Sequence, residues 1–378
     1  MNYSKFSTFA SQTKGRVFLE KPDKHRTCYM RDRDRIIHCA AFRKLKYKTQ
    51  VFVYHEGDYY RTRLSHSIEV SQLARSISKI FKVNDDLAEA ISLAHDVGHT
   101  PFGHAGEEAL NSKLHKIGGF NHNFQALKIL TLLERKYFGF DGLNLSWETL
   151  EGILKHNGPV KEKIPSYIYK FVNFFEGDLG VNASFEGQIA SISDDIAYNN
   201  NDIDDGLYAG LFEIDELNEL EIIKQALKKI NLKKSKEYRR IKYELIRKLI
   251  NIMVDDLIRN TKQNIQNFKI TNCNEILELD KPLVIFGDEM KNKEKKLKVF
   301  LKNKMYNHPK VKTMNFKAKK IVSDLFDLFI DEPYLLPGSW RNFENENEKY
   351  VNVSDYISGM TDNYAINIHK KYFDLYSH

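Results

Sequence analysis

The chain has 378 residues, enough for a large core or for two or three domains. Its apolar share of 42% and charged share of 29% are ordinary for a soluble globular protein. No run approaches the ~18 apolar residues that cross a bilayer, and the opening stretch Met1–Arg26 lacks the apolar core of a secretory signal. A net charge of +7 admits a polyanionic partner, a nucleoside triphosphate or a nucleic acid, without choosing between them. Cys28, Cys39 and Cys273 are odd in number and far apart, with no C-x-x-C pair. That pattern argues against a disulfide framework or thiolate zinc site and fits a reducing cytoplasm, with three buried structural cysteines.

Helical periodicity dominates the chain. Tyr47–Tyr54 is at most a short ribbon. In Ser65–Phe81 the positions Val70, Leu73, Ala74, Ile77, Ile80 and Phe81 form one apolar stripe. A second stripe of Leu87, Ile91 and Ala94 starts at Asn84-Asp85-Asp86, residues that cap a helix and suit its positive end. It stops before Gly98 and Pro101, which break helices. Phe185, Ile189, Ile192 and Ile196 make a third stripe, and Ile222–Val254 reads as one long amphipathic helix. Leu283–Phe286 is a second candidate ribbon. The basic stretches Lys224–Lys248 and Lys291–Lys320 read first as solvated faces, with phosphate or single-stranded nucleic acid as the sharper alternative. Asn307-His308-Pro309 inside the second marks a loop. There is no internal repeat. The expected architecture is all-α: a catalytic helical core over residues 1–211 and a C-terminal helical region over 212–378.

The chemistry concentrates in three places. His66 lies four residues before Val70, at the start of the first stripe, and His95 lies four after Ile91, continuing the second. Two imidazoles then meet where two helices pack, with Asp96 beside one of them. Neutral imidazole and carboxylate together suit a borderline divalent ion. On the third helix Asp194, Tyr198 and Asp202 share a face at i, i+4 and i+8, away from the apolar stripe. That face can add a metal ligand and, a turn later, contacts to a sugar. A single histidine of this kind is more often a satisfied core residue, but the joint pattern on three striped helices favours a site.

Several blocks together resemble the deoxyguanosinetriphosphate triphosphohydrolase-like proteins of the HD superfamily. They are Arg31–His38, Lys48–Phe52, Tyr60-Arg61-Thr62-Arg63-Leu64-Ser65-His66-Ser67-Ile68-Glu69-Val70, His95-Asp96-Val97-Gly98-His99-Thr100-Pro101-Phe102-Gly103-His104-Ala105-Gly106-Glu107, Leu154–Pro159, Ser193–Asp205 and Asp355–Asp362. The resemblance implies an HD-domain core and cleavage of a dNTP into deoxynucleoside and intact triphosphate. It makes His66, His95, Asp96 and Asp194 the ligands of a divalent ion, with Mn, Mg, Fe, Co and Ni not distinguishable. His104 and Glu107 correspond to a catalytic His–carboxylate pair and His99 to a phosphate contact. Arg63 would hold phosphate, His122 is a further active-site histidine, Gln50 a nucleoside contact, and Tyr198 and Asp202 lie under the deoxyribose. A homo-oligomer and a nucleotide effector also belong to this expectation. Gly98, Pro101 and Gly103 shape the turn, His122 and His156 retain a structural alternative, and His25, His38, His55 and His115 receive no role. After Gly-Met-Thr-Asp the family usually has Arg, where this chain has Asn363. An HD-type phosphodiesterase or phosphomonoesterase shares the metal set and differs in products. A non-catalytic nucleic-acid-binding protein would not require the His104–Glu107 pair.

Overall fold

The structure is a computed structural model describing residues 3–51, 60–161, 164–231 and 237–375. The helices that build and frame the site are α1 (Arg63–Phe81), α2 (Asp85–Ala94), α3 (His104–Leu114), α4 (His122–Lys128) and α5 (Trp147–Leu154). They continue with α6 (Phe185–Tyr208), α7 (Tyr238–Asn267), α8 (Asp288–Leu301), α9 (Pro309–Asp331), α10 (Glu346–Ser358) and α11 (Asp362–Phe373). Among the described residues no strand forms, and extended pairing is limited to the single bridges Thr49–Thr62 and Arg135–Gly142. The fold is all-α, as expected. No described helix is long and apolar enough to cross a membrane.

Local chemistry sets the helix starts. Thr62 and Ser65 close a reciprocal capping box ahead of α1, so that helix begins at Arg63, two residues before the expected Ser65. The Asn84 side chain accepts the Leu87 N–H at 3.2 Å, and Asp85 and Asp86 occupy the first turn of α2. Ser184 caps α6 in the same way.

The stripes then decide the packing. α1 lies on α2 and α6, and α2 also contacts α6. Val70, Leu73, Ala74, Ile77 and Phe81 join Phe185, Ile189 and Ile196 in a core that continues through Leu249 and Met253 of α7 to Phe300 and Val311. A second cluster packs Leu87, Ile91 and Ala94 against Trp147, Leu150 and Leu154. A third joins Phe102, Ala109 and Leu110 to Val322, Leu325 and Phe326 of α9 and to Ile357 and Met360. Burial of each large apolar side chain contributes about 1.5–3 kcal/mol before entropy is counted.

Some expectations are corrected. Ile80 is 47% exposed, while its neighbours Ile77 and Phe81 stay in the core, so the buried stripe of α1 is narrower than expected. Ile222–Val254 is two helices, Glu221–Lys228 and α7. Leu283–Phe286 is not a ribbon, since the N–H groups of Leu283 and Val284 are satisfied by the Gln188 side chain at 2.7 and 3.0 Å instead of by a strand. Only Cys39 of the three free cysteines is fully buried. Lys242 is not on a solvated face: it is buried and paired with Asp204 at 2.8 Å. The Tyr47–Tyr54 ribbon contains the Thr49 bridge, while residues 52–59, His55 among them, lie outside the described residues.

Candidate active site

The first turn of α1, the C-terminal end of α2 and the middle of α6 converge on one cluster. His66 Nε2 lies 2.8 Å from Asp194 Oδ1, and His95 Nε2 lies 3.5 Å from Asp96 Oδ1 and 3.8 Å from Asp194 Oδ1. His95 Nδ1 faces the Ser92 carbonyl at 2.6 Å. A carbonyl only accepts, so that nitrogen carries the proton and Nε2 turns a lone pair inward. The structure thus brings His66, His95, Asp96 and Asp194 together.

His156 joins them, with its Nε2 3.1 Å from Asp194 Oδ2 and its ring stacked on His95 at 4.8 Å. Within this group His66, His95 and Asp96, and again His95, His156 and Asp194, could each hold a metal ion. Two observations fit the cluster to a divalent cation. His95 Nε2 and Asp96 Oδ2 are buried without any hydrogen-bond partner in the protein, a costly state unless a ligand compensates it. The charges also suit it. Burial disfavours the anion of Asp96, yet Arg63 and the neighbouring histidines hold its pKa well below the usual carboxylate range. Burial holds the His95 pKa down and favours the neutral ring that coordinates metals, and Asp194 remains anionic because the surrounding histidines outweigh its burial. For His66, burial is outweighed by the Asp194 contact, which raises its pKa and marks the place as one that attracts positive charge.

One side of the cluster carries Arg63 and a group of histidines. Arg63 Nη1 donates to Asp96 Oδ1 at 3.0 Å, and its Nε is buried without a partner. A glycine at 103 makes room for that guanidinium, since a Cβ there would lie 2.7 Å from Arg63 Nη2. His99 Nε2 lies 3.3 Å from Asp96 Oδ1, and its ring stacks on His122 at 4.0 Å. Burial, Arg63 and His122 keep the His99 pKa well below its usual value. Gly98 permits this stack: a Cβ on it would meet the His122 carbonyl oxygen at 2.0 Å, so α4 rests directly on the backbone.

Glu107 organises the remaining histidines. Its Oε2 lies 3.3 Å from His104 Nδ1, while its Oε1 accepts both the backbone N–H of His122 at 3.0 Å and the His122 ring at 2.8 Å. Despite burial, those two imidazoles hold the Glu107 pKa far below the normal range. His104 stands at the edge, its side chain 60% exposed and its ring 5.3 Å from that of His99.

The other side of the cluster is phenolic and acidic. Tyr198 lies edge-on to His66 at 6.4 Å. Tyr306, from the short π-helix Lys302–Tyr306, donates to Asp202 and bonds the Tyr198 hydroxyl. Burial pushes the Asp202 pKa up to about 8. Gln50 is buried, its carbonyl oxygen without a partner, next to Thr49, which pairs with Thr62 just ahead of Arg63.

Sequence reasoning missed Tyr306 and undervalued His156. Tyr306 sits in a lysine-rich stretch with no motif around it, so no local signal could find it. His156, inside Leu154–Pro159, was noticed, but its contact with Asp194 spans 38 positions and is invisible locally.

Comparison with known proteins defines the class. The HD domain family matches residues 63–199, and the phosphohydrolase-associated domain matches residues 284–371. Over nearly its full length the chain is similar to proteins named deoxyguanosinetriphosphate triphosphohydrolase-like. The one from Parvibaculum lavamentivorans is 46% identical over 98% of this chain and 96% of its own. The corresponding figures are 45%, 97% and 95% for a Caulobacter species, and 45%, 94% and 94% for Rickettsia felis. The chain belongs to the deoxyguanosinetriphosphate triphosphohydrolase-like family.

Proposed function

We propose that the protein hydrolyses deoxynucleoside triphosphates to deoxynucleoside and inorganic triphosphate, using a divalent metal ion. The observation that carries this reading is the order of groups across the site. The side bearing Arg63, His99, His104 and His122 adjoins one edge of the His66–His95–Asp96–Asp194 cluster, and the Tyr198–Asp202–Tyr306 group adjoins another. A dNTP laid along that order puts its triphosphate on the basic side, its sugar on the tyrosines and its α-phosphorus at the cluster. A divalent ion held by His66, His95, Asp96 and Asp194 would supply Lewis-acid polarisation at the α-phosphoryl oxygen.

The chain's own residues do the rest. Arg63 offers a fixed fork of donors, of which Asp96 uses one side, to a charged phosphoryl oxygen. His99 and His122, stacked and backed by Asp96 and Glu107, contact the phosphates. His104, held by Glu107, handles the proton at the 5′-oxygen as the bond from that oxygen to the α-phosphorus breaks and water's oxygen bonds to the phosphorus. Gln50 contacts the nucleoside. The Tyr198 ring, pinned by Tyr306 and Asp202, packs against the C2′ edge.

Two outcomes follow. Incubation with each dNTP and Mn²⁺ or Mg²⁺ should release deoxynucleoside and inorganic triphosphate in equal amounts, measured by ion chromatography. Orthophosphate with a diphosphate product, or pyrophosphate with a monophosphate, overturns the reading in favour of another HD-type phosphohydrolase. The sugar pocket gives the second. A ribonucleoside triphosphate should be a poorer substrate than its deoxy counterpart, and Tyr198→Ala should narrow the gap. A closely packed ring that clashes with the 2′-hydroxyl supports a preference of roughly 10²-fold or more. Equal kcat/KM for dNTP and NTP in the unmodified protein would remove Tyr198 from this role.

A further inference from the structure

We infer that Asp362 is a positioning residue contributed by the C-terminal region. Its buried carboxylate fastens the turn that presents His104 to the segment that carries Gln50. The inference rests on the proposed roles of those two residues.

The carboxylate is completely buried and bonded on both oxygens. Oδ1 accepts the Phe102 N–H at 2.8 Å; Oδ2 accepts the Thr49 N–H at 2.8 Å and also the Thr49 hydroxyl. These partners lie 260 and 313 positions away, so one side chain ties three distant parts of the chain. Its own backbone is anchored, because Asp362 begins α11 and Thr361 caps that helix by accepting the Tyr364 N–H at 3.2 Å.

The turn it holds needs holding. Phe102 has φ +63° and Gly103 φ +58°, so a bulky side chain sits in the left-handed region immediately before His104. Such a conformation persists only where its surroundings over-determine it. The Phe102 ring is buried among C-terminal residues, and the Asp362 bond fixes its amide.

The segment on the other side is tied to the same C-terminal loop by two lysines. Lys44 donates to the Gly359 carbonyl at 2.7 Å. Lys48 Nζ is buried, donating to Ser358 O at 2.8 Å and to the His99 carbonyl. The loop 358–362 therefore holds the Lys44 and Lys48 side chains and the backbone N–H groups of Thr49 and Phe102, beside Gln50 on one side and just ahead of His104 on the other.

Three donors converging on one buried group require an acceptor-only partner with two oxygens. Asparagine has the same shape but turns an NH₂ toward at least one of those donors.

The test uses Asp362→Asn in the full chain, with Asp355→Asn as control. Asp355 is another buried C-terminal carboxylate, but its partners are Gln125 and Lys128. With Asp362→Asn, hydrogen exchange across residues 47–51 and 100–105 should accelerate. Its kcat for a dNTP should fall by roughly 10–100-fold, the scale of a misplaced catalytic group, with KM changed far less and metal content intact. Asp355→Asn should lower Tm while leaving kcat near that of the unmodified protein. If both variants lose Tm alone, Asp362 is merely structural and the inference fails. If Asp362→Asn does not fold, Thr49→Val deletes one donor, and an unchanged kcat there also overturns it. If the unmodified protein releases triphosphate from no dNTP, the proposed reaction fails. Exchange at residues 47–51 and 100–105 then decides the clamp by itself, and unchanged protection overturns it.

Discussion

Replacing Asp96 with Ala should strip the divalent ion and reduce dNTP turnover by about three orders of magnitude or more. The scale follows from several kcal/mol of Lewis-acid stabilisation at ~1.4 kcal/mol per decade. On the proposed reading Asp96 has two tasks, holding the ion and anchoring Arg63, and the substitution ends both. Its Oδ2 is buried without a partner, and its Oδ1 is the acceptor for Arg63. The Ala variant also leaves a buried guanidinium unpaired, which costs roughly 3–5 kcal/mol and lowers Tm. Asp96→Asn separates the effects. An amide retains volume and can still accept from Arg63, yet as a neutral donor it is a poor substitute for a carboxylate toward a hard or borderline cation. It should therefore fold with a Tm close to the unmodified protein while its metal content, measured by mass spectrometry, drops with its activity. Near-normal turnover in either variant would sink the metal assignment.

The second large effect separates proton handling from metal binding. His104 lies beyond the Gly98–Pro101 break on the first turn of α3, exposed at the edge of the site and bonded to Glu107. His104→Ala should leave metal content and Tm unchanged and lower kcat by roughly 10²–10⁴, the span of one positioned acid–base group. Glu107→Gln should be at least as damaging. Sequence alone suggests a milder loss, because it pairs Glu107 only with His104. The structure shows the same carboxylate accepting twice from His122. If the Gln carbonyl keeps the His122 bonds, its NH₂ faces His104 Nδ1 and donates to it, which selects the other ring tautomer. Losses in the double variant should not add, since these residues act as one unit. Should His104→Ala lose its metal, His104 is a ligand; should it keep full activity, the pair is structural.

The sequence by itself determined the helices and their chemistry-bearing faces. Apolar stripes on α1, α2 and α6, together with the Thr62 and Asn84 caps, are local properties, and local properties survive translation into a one-dimensional pattern. They suffice to place His66 and His95 on the stripes that face the core, and Asp194 on a separate acidic face of the third helix. The motifs around them suffice for the family. The tertiary structure alone decided which groups touch across long separations. Tyr306 reaches Asp202 over 104 positions, and His156 meets Asp194 because α5 packs against α6. Asp362 grips Phe102 and Thr49, and Glu107 holds two imidazoles where its spacing suggested one. Each of these contacts depends on how helices cross and on where a glycine lets backbone approach. Packing is a collective outcome of the whole core, and no stretch of neighbouring residues encodes it.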